Sequence, residues 1–227
     1  MKREIFSSPD GSCMNYGVFF PASLDKSGHE LPLIVYLHGA GERGRCFEHV
    51  YRHALAQMLD EGAELEAVVL IPQCPAALVW DNVVTELKAL IDRVAVDYGV
   101  RRDRICLTGS SMGGFGTWMM GMTYPDYFAA IAPVAGGGMT WRAPKLRTTP
   151  VFAYHGAADT VVIPEYSRIM AVAVNAAGGR ADLALLRDKG HNDGIDYAYA
   201  HTDLLEKLLR ARRTDFRPVP EICEEMF

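Results

Sequence analysis

Closely spaced cysteines are missing from the sequence. The five that occur are odd in number and far apart, and no Cys-x-x-Cys pair exists: Cys13, Cys46, Cys74, Cys106 and Cys223. Disulfide frameworks and structural zinc sites usually need an even number of cysteines or closely spaced pairs. We therefore expect neither a disulfide-stabilised fold nor a metal site.

Long apolar runs are also missing. No stretch of about 18 consecutive apolar residues occurs, so a transmembrane helix is not expected. The first residues, MKREIFSSPDG, have a basic start without the apolar segment of a signal peptide. The sequence thus predicts a cytoplasmic protein with no membrane partner.

An excess of positive charge is absent. Lys and Arg number 23 against 28 Asp and Glu, which gives a net charge of −5. The densest basic runs, 101–104 and 210–213, lie where helices are expected to end, and cations there offset the helix dipole. Nucleic-acid binders usually carry a basic stripe, so no nucleic-acid partner is expected.

Linkers, repeats and low-complexity segments are not found either. The 227 residues are 49% hydrophobic and 22% charged, which is ordinary for a globular protein. We expect one domain over 1–227, with a C-terminal tail, 215–227, to which the sequence assigns no clear role. The sequence leaves open whether the chain forms a homodimer.

Short β-branched runs alternate with helical periodicity along the chain. Leu33–Leu37 (LIVYL) is a run of the kind that is buried on both faces of a sheet. Further strands are predicted near 4–7, 14–21, 67–71, 105–108, 128–135, 151–154 and 181–186, and helices near 46–59, 81–98, 112–122, 164–177 and 197–210. This alternation predicts an α/β fold with a mostly parallel sheet covered on both faces. Ligands of such folds lie at the carboxyl ends of the strands.

A G-x-S-x-G motif follows the strand near 105–108 and precedes a helix. It reads Gly109-Ser110-Ser111-Met112-Gly113. A tight turn between strand and helix exposes the central hydroxyl at the top of the sheet, and flanking glycines remove side chains that would clash there. Ser111 is therefore the candidate nucleophile, and Ser110 is the alternative.

A serine hydroxyl needs a base to take its proton. His191 lies after the strand 181–186 and before the last helix, which is where the base of a strand-turn-helix nucleophile is expected. The other histidines lie at strand ends, in a turn or within helices, and are interpreted as structural: His29, His38, His49, His53, His155 and His201.

The acid that orients this base should lie between Ser111 and His191 in the chain. Asp159 follows the strand 151–154 and is the candidate. Its role would be to fix the imidazole tautomer and to stabilise the imidazolium. Asp193, close to His191 in sequence, is the fallback.

A glycine-rich stretch after Leu33–Leu37 is the candidate oxyanion loop. It reads HGAGERG and lacks the G-x-x-x-x-G-K-[ST] pattern of a phosphate loop, so no nucleotide cofactor is expected. In a strand-turn-serine-helix site, one oxyanion donor comes from such a loop and the other from the residue after the nucleophile. The donors would be the backbone amides of Ala40 and Met112.

These residues resemble the α/β-hydrolase superfamily over nearly the whole chain. The segments YLHGAGERG, LTGSSMGGFGTW and YHGAADTVV look like its phospholipase/carboxylesterase and dienelactone-hydrolase-like branch. They are especially similar to predicted peptidases or esterases related to polyhydroxybutyrate depolymerases and feruloyl esterases. The resemblance implies about eight strands, little or no lid, a Ser111–Asp159–His191 triad, and Ala40 with Met112 as the oxyanion pair.

Two departures from the family pattern are visible. Dienelactone hydrolases proper use a cysteine nucleophile, whereas this chain has Ser111. Many relatives carry a tryptophan shortly after the catalytic histidine, and Gly194-Ile195 occupies that region here.

Substrate contacts are less well specified by the sequence. Trp80, Trp141 and Gly41 are the candidates, because each follows or lies near the end of a strand. We expect a serine hydrolase that cleaves small or medium soluble carboxylic esters without a cofactor. A peptidase or amidase of the same fold, and a hydrolase-fold protein that binds a ligand without turnover, are the alternatives.

Overall fold

The computed structural model describes residues 1–8, 14–24 and 31–213. The tail 215–227, Cys13, Cys223 and His29 lie outside the described residues. Eight strands form one sheet: β1 (Lys2–Phe6), β2 (Tyr16–Phe20), β3 (Leu33–Leu37), β4 (Val68–Pro72), β5 (Ile105–Ser110), β6 (Ala130–Val134), β7 (Val151–Gly156) and β8 (Ala181–Leu186). Within the described ranges, six α-helices accompany them: α1 (Ala54–Asp60), α2 (Val84–Asp97), α3 (Met112–Thr123), α4 (Glu165–Ala176), α5 (Asn192–His201) and α6 (Leu204–Arg210).

The sheet is antiparallel at one edge and parallel elsewhere. Its order is β1-β2-β4-β3-β5-β6-β7-β8, with β2 antiparallel to both of its neighbours. All strand pairs from β4–β3 to β7–β8 are parallel, so their carboxyl ends meet at one edge of the sheet. The predicted α/β class and mostly parallel sheet of about eight strands are confirmed.

Central strand β3 shows why the sheet is covered on both faces. Leu33, Val35 and Leu37 belong to one apolar cluster, into which α2, α3 and α4 pack. Ile34 and Tyr36 belong to the cluster on the opposite face, with α1, α5 and α6. Side chains alternate across a strand, so a continuously apolar run such as LIVYL fits a strand with helices on both sides.

One predicted helix, 46–59, is broken in the structure. A 3₁₀ helix over Phe47–Arg52 precedes α1, and the two are separated by extended backbone at His53 (φ −148°, ψ 161°) and a positive φ of 55° at Ala54. The amide of Ala54 donates to Asp196 Oδ1 at 3.0 Å. A contact from α5 therefore stabilises the start of α1, which local sequence does not reveal.

The last predicted helix, 197–210, is also different. It begins earlier, as α5, and is interrupted before α6 by extended backbone at Thr202. The Thr202 hydroxyl donates to the carbonyl of Ala198 and accepts from the amide of Leu204. This side chain replaces helical backbone bonds at the break.

The connection between β6 and β7 contains one 3₁₀ helix, Thr140–Leu146, and no further strand or α-helix. In the part of the chain that the structure describes, no helix has the length and apolarity needed to cross a bilayer.

Candidate active site

Ser111 lies in a sharp turn between β5 and α3. Its backbone has φ 54° and ψ −117°, which is a strained conformation for a residue with a side chain. The turn brings backbones into close contact: a Cβ on Gly113 would lie 1.9 Å from the Leu37 carbonyl oxygen, and one on Gly109 would lie 2.5 Å from that of Gly113. Only glycine fits at both flanks, which is the physical basis of the motif.

The neighbouring serine has different surroundings. Ser110 is buried, and its Oγ lies 3.0 Å from the hydroxyl of Tyr36 in the core. Ser110 therefore belongs to the core. Ser111 is the serine whose hydroxyl contacts His191.

Ser111, His191 and Asp159 form one hydrogen-bonded line. His191 Nε2 lies 2.9 Å from Ser111 Oγ, and His191 Nδ1 lies 2.6 Å from Asp159 Oδ2. The three residues follow β5, β8 and β7 respectively, so the parallel sheet brings them to the same edge. With Asp159 accepting from Nδ1, the lone pair of Nε2 points at the serine hydroxyl.

The second oxygen of Asp159 is bound by the backbone. Its Oδ1 accepts from the amides of Val161 (2.8 Å) and Val162 (3.0 Å). Burial acts to raise the pKa of Asp159, but the hydrogen bonds from His191 and from these two amides outweigh it and lower that pKa below its ordinary value. The carboxylate is thus ionised and oriented. The fallback acid, Asp193, instead accepts from the amide of Gly190 at 2.9 Å.

The glycine-rich loop after β3 lies beside the candidate nucleophile, Ser111. A Cβ on Gly39 would be 3.6 Å from Ser111 Cβ. Ala40 is the first residue of a 3₁₀ helix, Ala40–Glu42, and Met112 is the first residue of α3. The amides of the first residues of a helix have no intrahelical acceptor. Both predicted oxyanion donors therefore begin helices that flank Ser111.

The chain resembles esterases in two kinds of comparison. A bifunctional acetylxylan esterase/xylanase of Neocallimastix patriciarum is 26% identical over 166 residues, which cover 71% of this chain and 23% of that protein. Poly(3-hydroxyalkanoate) depolymerase C of Paucimonas lemoignei is 41% identical over 51 residues, 22% of this chain and 12% of the other. The aligned region thus spans less than a quarter of either relative. No protein-family model matches the chain.

Among solved structures, a thermostable esterase superposes with a TM-score of 0.75 at 26% identity, covering 93% of this chain and 63% of that one. The chain has the α/β-hydrolase fold. Within this fold, Ser111, His191 and Asp159 lie at the edge of the sheet formed by the carboxyl ends of the parallel strands.

A buried histidine contacts the candidate oxyanion loop. His38 Nε2 accepts from the amide of Cys74 at 2.9 Å, so the ring proton is on Nδ1, which donates to the Gly39 carbonyl at 2.6 Å. Burial lowers the pKa of His38 to about 4, with a smaller contribution from repulsion by Arg43. The sequence analysis interpreted His38 as structural, and in the structure it connects the loop to Cys74, the second residue after β4.

Trp80 is placed differently from its prediction. Its side chain is 1% exposed, and its Nε1 donates to the carbonyl of His38 at 3.0 Å. A predicted substrate contact is therefore a core residue in the structure, where it binds the backbone that leads into the candidate oxyanion loop.

Trp141 is not brought to Ser111. It is 77% exposed, and its neighbour Arg142 binds Thr123 Oγ1 at 3.1 Å in the last residue of α3. Because α3 has 12 residues, its two ends are about 18 Å apart. The predicted substrate contact at Trp141 thus adjoins a residue at the far end of α3, the helix that begins directly after Ser111.

Gly41 is exposed, and a Cβ there would meet open space. Its carbonyl accepts from Arg52 at 3.2 Å. Of the three predicted substrate contacts, Gly41 is the one that is both exposed and part of the candidate oxyanion loop.

An aromatic pair, Phe115 and Tyr166, lies near Ser111 and was not predicted from the sequence. Phe115, one helical turn after Ser111, meets Tyr166 of α4 edge to face with 5.8 Å between ring centroids. Tyr166 is partly exposed, and it packs against Gly137, which follows β6. Phe115 could have been predicted to lie near Ser111, because it follows the serine motif in GSSMGGF. Its partner comes from a distant segment.

Proposed function

We propose that this chain is a serine hydrolase that cleaves carboxylic esters of small or medium soluble molecules through an acyl-enzyme on Ser111. The observation that carries the proposal is the hydrogen-bonded line from Ser111 through His191 to Asp159. Similarity to an acetylxylan esterase and to a thermostable esterase supports an ester as the substrate.

In the proposed reaction, His191 Nε2 accepts the hydroxyl proton while Ser111 Oγ attacks the ester carbonyl carbon. The carbonyl oxygen becomes an oxyanion, to which the amides of Ala40 and Met112 donate. The His191 imidazolium, stabilised by Asp159, then protonates the leaving alcohol as the ester C–O bond breaks. Water attacks the acyl-enzyme by the same steps and releases the acid and free Ser111.

The proposed alcohol and acyl groups of the substrate are inferred from the names of the two relatives. Acetyl esters of carbohydrates and short 3-hydroxyacyl esters are the classes that the names of the two curated relatives suggest. The open space around Gly41 supports access for substrates that extend beyond the ester group.

Labelling and turnover together test this function. The wild-type chain is expected to react with a fluorophosphonate probe and to hydrolyse p-nitrophenyl acetate, and Ser111→Ala is expected to do neither. Ser110→Ala is the matched control and keeps labelling. An amide with the same acyl group distinguishes a peptidase, which would cleave it at a comparable rate. A folded chain that is not labelled would leave only the ligand-binding alternative.

Location and partners are further parts of the proposal. We place the protein in the cytoplasm, with a small ester as its partner and without nucleic-acid or membrane partners. The thiols of Cys74 and Cys106 are free and buried, which fits a reducing compartment. Cell fractionation tests the location, and sedimentation equilibrium tests whether a homodimer forms.

A further inference from the structure

Two fully buried polar side chains lie behind Asp159, and the proposed reaction does not use them. His155 is in β7 and Ser167 is in α4. His155 Nδ1 lies 2.7 Å from Ser167 Oγ, and His155 Nε2 lies 2.7 Å from the carbonyl oxygen of Val162. Ser167 Oγ is also 2.9 Å from the carbonyl oxygen of Gly136.

Donor counting fixes the tautomer of His155. A carbonyl oxygen only accepts, so the contact with Val162 requires the proton on Nε2. Burial, although opposed by the contacts with Val162 and Asp159, lowers the pKa of His155, which favours the neutral ring. In that ring Nδ1 carries no proton, and the single hydroxyl proton of Ser167 lies within reach of both Nδ1 and the carbonyl oxygen of Gly136. The carbonyl of Val162 therefore selects the tautomer that presents an N–H toward the loop of the candidate triad acid.

This N–H acts on Asp159 in two ways. It donates to the carbonyl of Val162, whose own amide donates to Asp159 Oδ1. His155 Nε2 also lies 3.4 Å from Asp159 Oδ2, the oxygen that binds His191. The imidazole therefore contacts both the loop that carries the carboxylate and the carboxylate itself.

We propose that His155, with its proton on Nε2, is a positioning residue that orients the Asp159 carboxylate toward His191. The proposal rests on the proposed function of the same site. His155 touches no reacting atom. It acts through Asp159, and Asp159 and His191 are the charged or titratable groups that face it.

Matched substitutions at position 155 test the proposal. His155→Gln keeps an amide N–H near the place of Nε2, whereas His155→Phe keeps a ring and removes both nitrogens. A buried acceptor that loses its donor costs about 1–3 kcal/mol, so His155→Phe is expected to lower kcat and the fluorophosphonate labelling rate roughly 10- to 100-fold. The KM for p-nitrophenyl acetate stays within about twofold, because substrate binding is not touched. His155→Gln is expected to restore most of kcat.

The pH profile separates positioning from simple destabilisation. Without the N–H beside Oδ2, the carboxylate is oriented less well toward a protonated His191 and stabilises it less, so the acid limb of kcat/KM is expected to shift to lower pH in His155→Phe. Rates are normalised to the folded, active fraction by titration with the probe. Equal kcat values for the Phe and Gln variants, or a wild-type pH profile for His155→Phe, would overturn the proposal.

Ser167→Ala keeps the proposal testable where His155→Phe does not fold. It leaves the imidazole in place and removes the hydroxyl that contacts Nδ1 and holds the ring against α4. We expect a smaller loss of kcat with the same direction of pH shift, and an unchanged profile would count against the proposal. A wild-type chain that is labelled but hydrolyses no ester refutes the proposed function, and the labelling rates then still decide the role of His155.

Discussion

Trp80 donates its indole N–H to the carbonyl oxygen of His38, at a distance of 3.0 Å. His38 in turn donates from its ring to the carbonyl of Gly39, which lies beside Ser111. A chain of buried hydrogen bonds thus connects the segment after β4 to the candidate oxyanion loop. Loop backbone at an oxyanion site has to be held in place before the reaction, because preorganised donors lower the barrier most.

Trp80→Phe is expected to lower kcat by about 5- to 50-fold and to reduce the free energy of unfolding. The substitution keeps an aromatic ring but leaves the His38 carbonyl without this donor, at a cost of about 1–3 kcal/mol. Trp141→Phe is the matched control, since Trp141 is exposed and its neighbour Arg142 binds the last residue of α3. Steady-state kinetics with p-nitrophenyl acetate and denaturant unfolding measure both effects. Equal kcat for the two variants would contradict this reading of Trp80.

Asp159→Asn is expected to reduce kcat by up to about 10⁴, because an amide at this position favours the wrong tautomer of the histidine. Asp193→Asn is expected to change kcat little, since Asp193 binds the amide of Gly190. The comparison uses two isosteric changes in loops that both adjoin His191. A larger loss in Asp193→Asn would move the acid assignment to that residue.

The fold was predictable where local pattern determines structure. The strand 181–186 has the predicted bounds, and the apolar run LIVYL is buried on both faces of the sheet as expected. The break in the predicted helix 46–59 was not predictable. Its positive φ at Ala54 is accompanied by a hydrogen bond to a carboxylate 142 residues further along the chain.

The candidate site shows the same division. Ser111, Asp159 and His191 carry local signals, and the structure brings their side chains together, while their catalytic roles stay predictions. Trp80 and Trp141 gave equal signals as substrate contacts, but burial and the length of α3 separate them. Burial depends on the packing of distant segments, which a single sequence does not display.

Acidification is expected to destabilise the fold through His38. Because the folded-state pKa is lowered to about 4, the unfolded chain binds this proton more readily between roughly pH 6.5 and 4. The free energy of unfolding therefore falls as pH falls through this window, by at most about 1.4 kcal/mol per pH unit for one proton. Urea unfolding at pH 7 and pH 5 measures the slope, and His38→Gln is expected to reduce it. An unchanged slope in His38→Gln would assign the effect to other groups.

Gly113→Ala is expected to prevent the turn at Ser111 from forming. The added Cβ would lie 1.9 Å from the Leu37 carbonyl oxygen. A Cβ is fixed by its own backbone, and the atom that it meets is also backbone, so no side-chain rotation can relieve the clash. We expect a loss beyond the roughly 1–3 kcal/mol that overpacking usually costs, together with loss of fluorophosphonate labelling. Gly41→Ala is the matched control, since its Cβ meets open space, and its unfolding free energy should change by less than about 0.5 kcal/mol. Thermal unfolding and probe labelling measure both variants. A Gly113→Ala chain that folds and is labelled at the wild-type rate would show that close contact between β3 and the first turn of α3 is not needed to present Ser111.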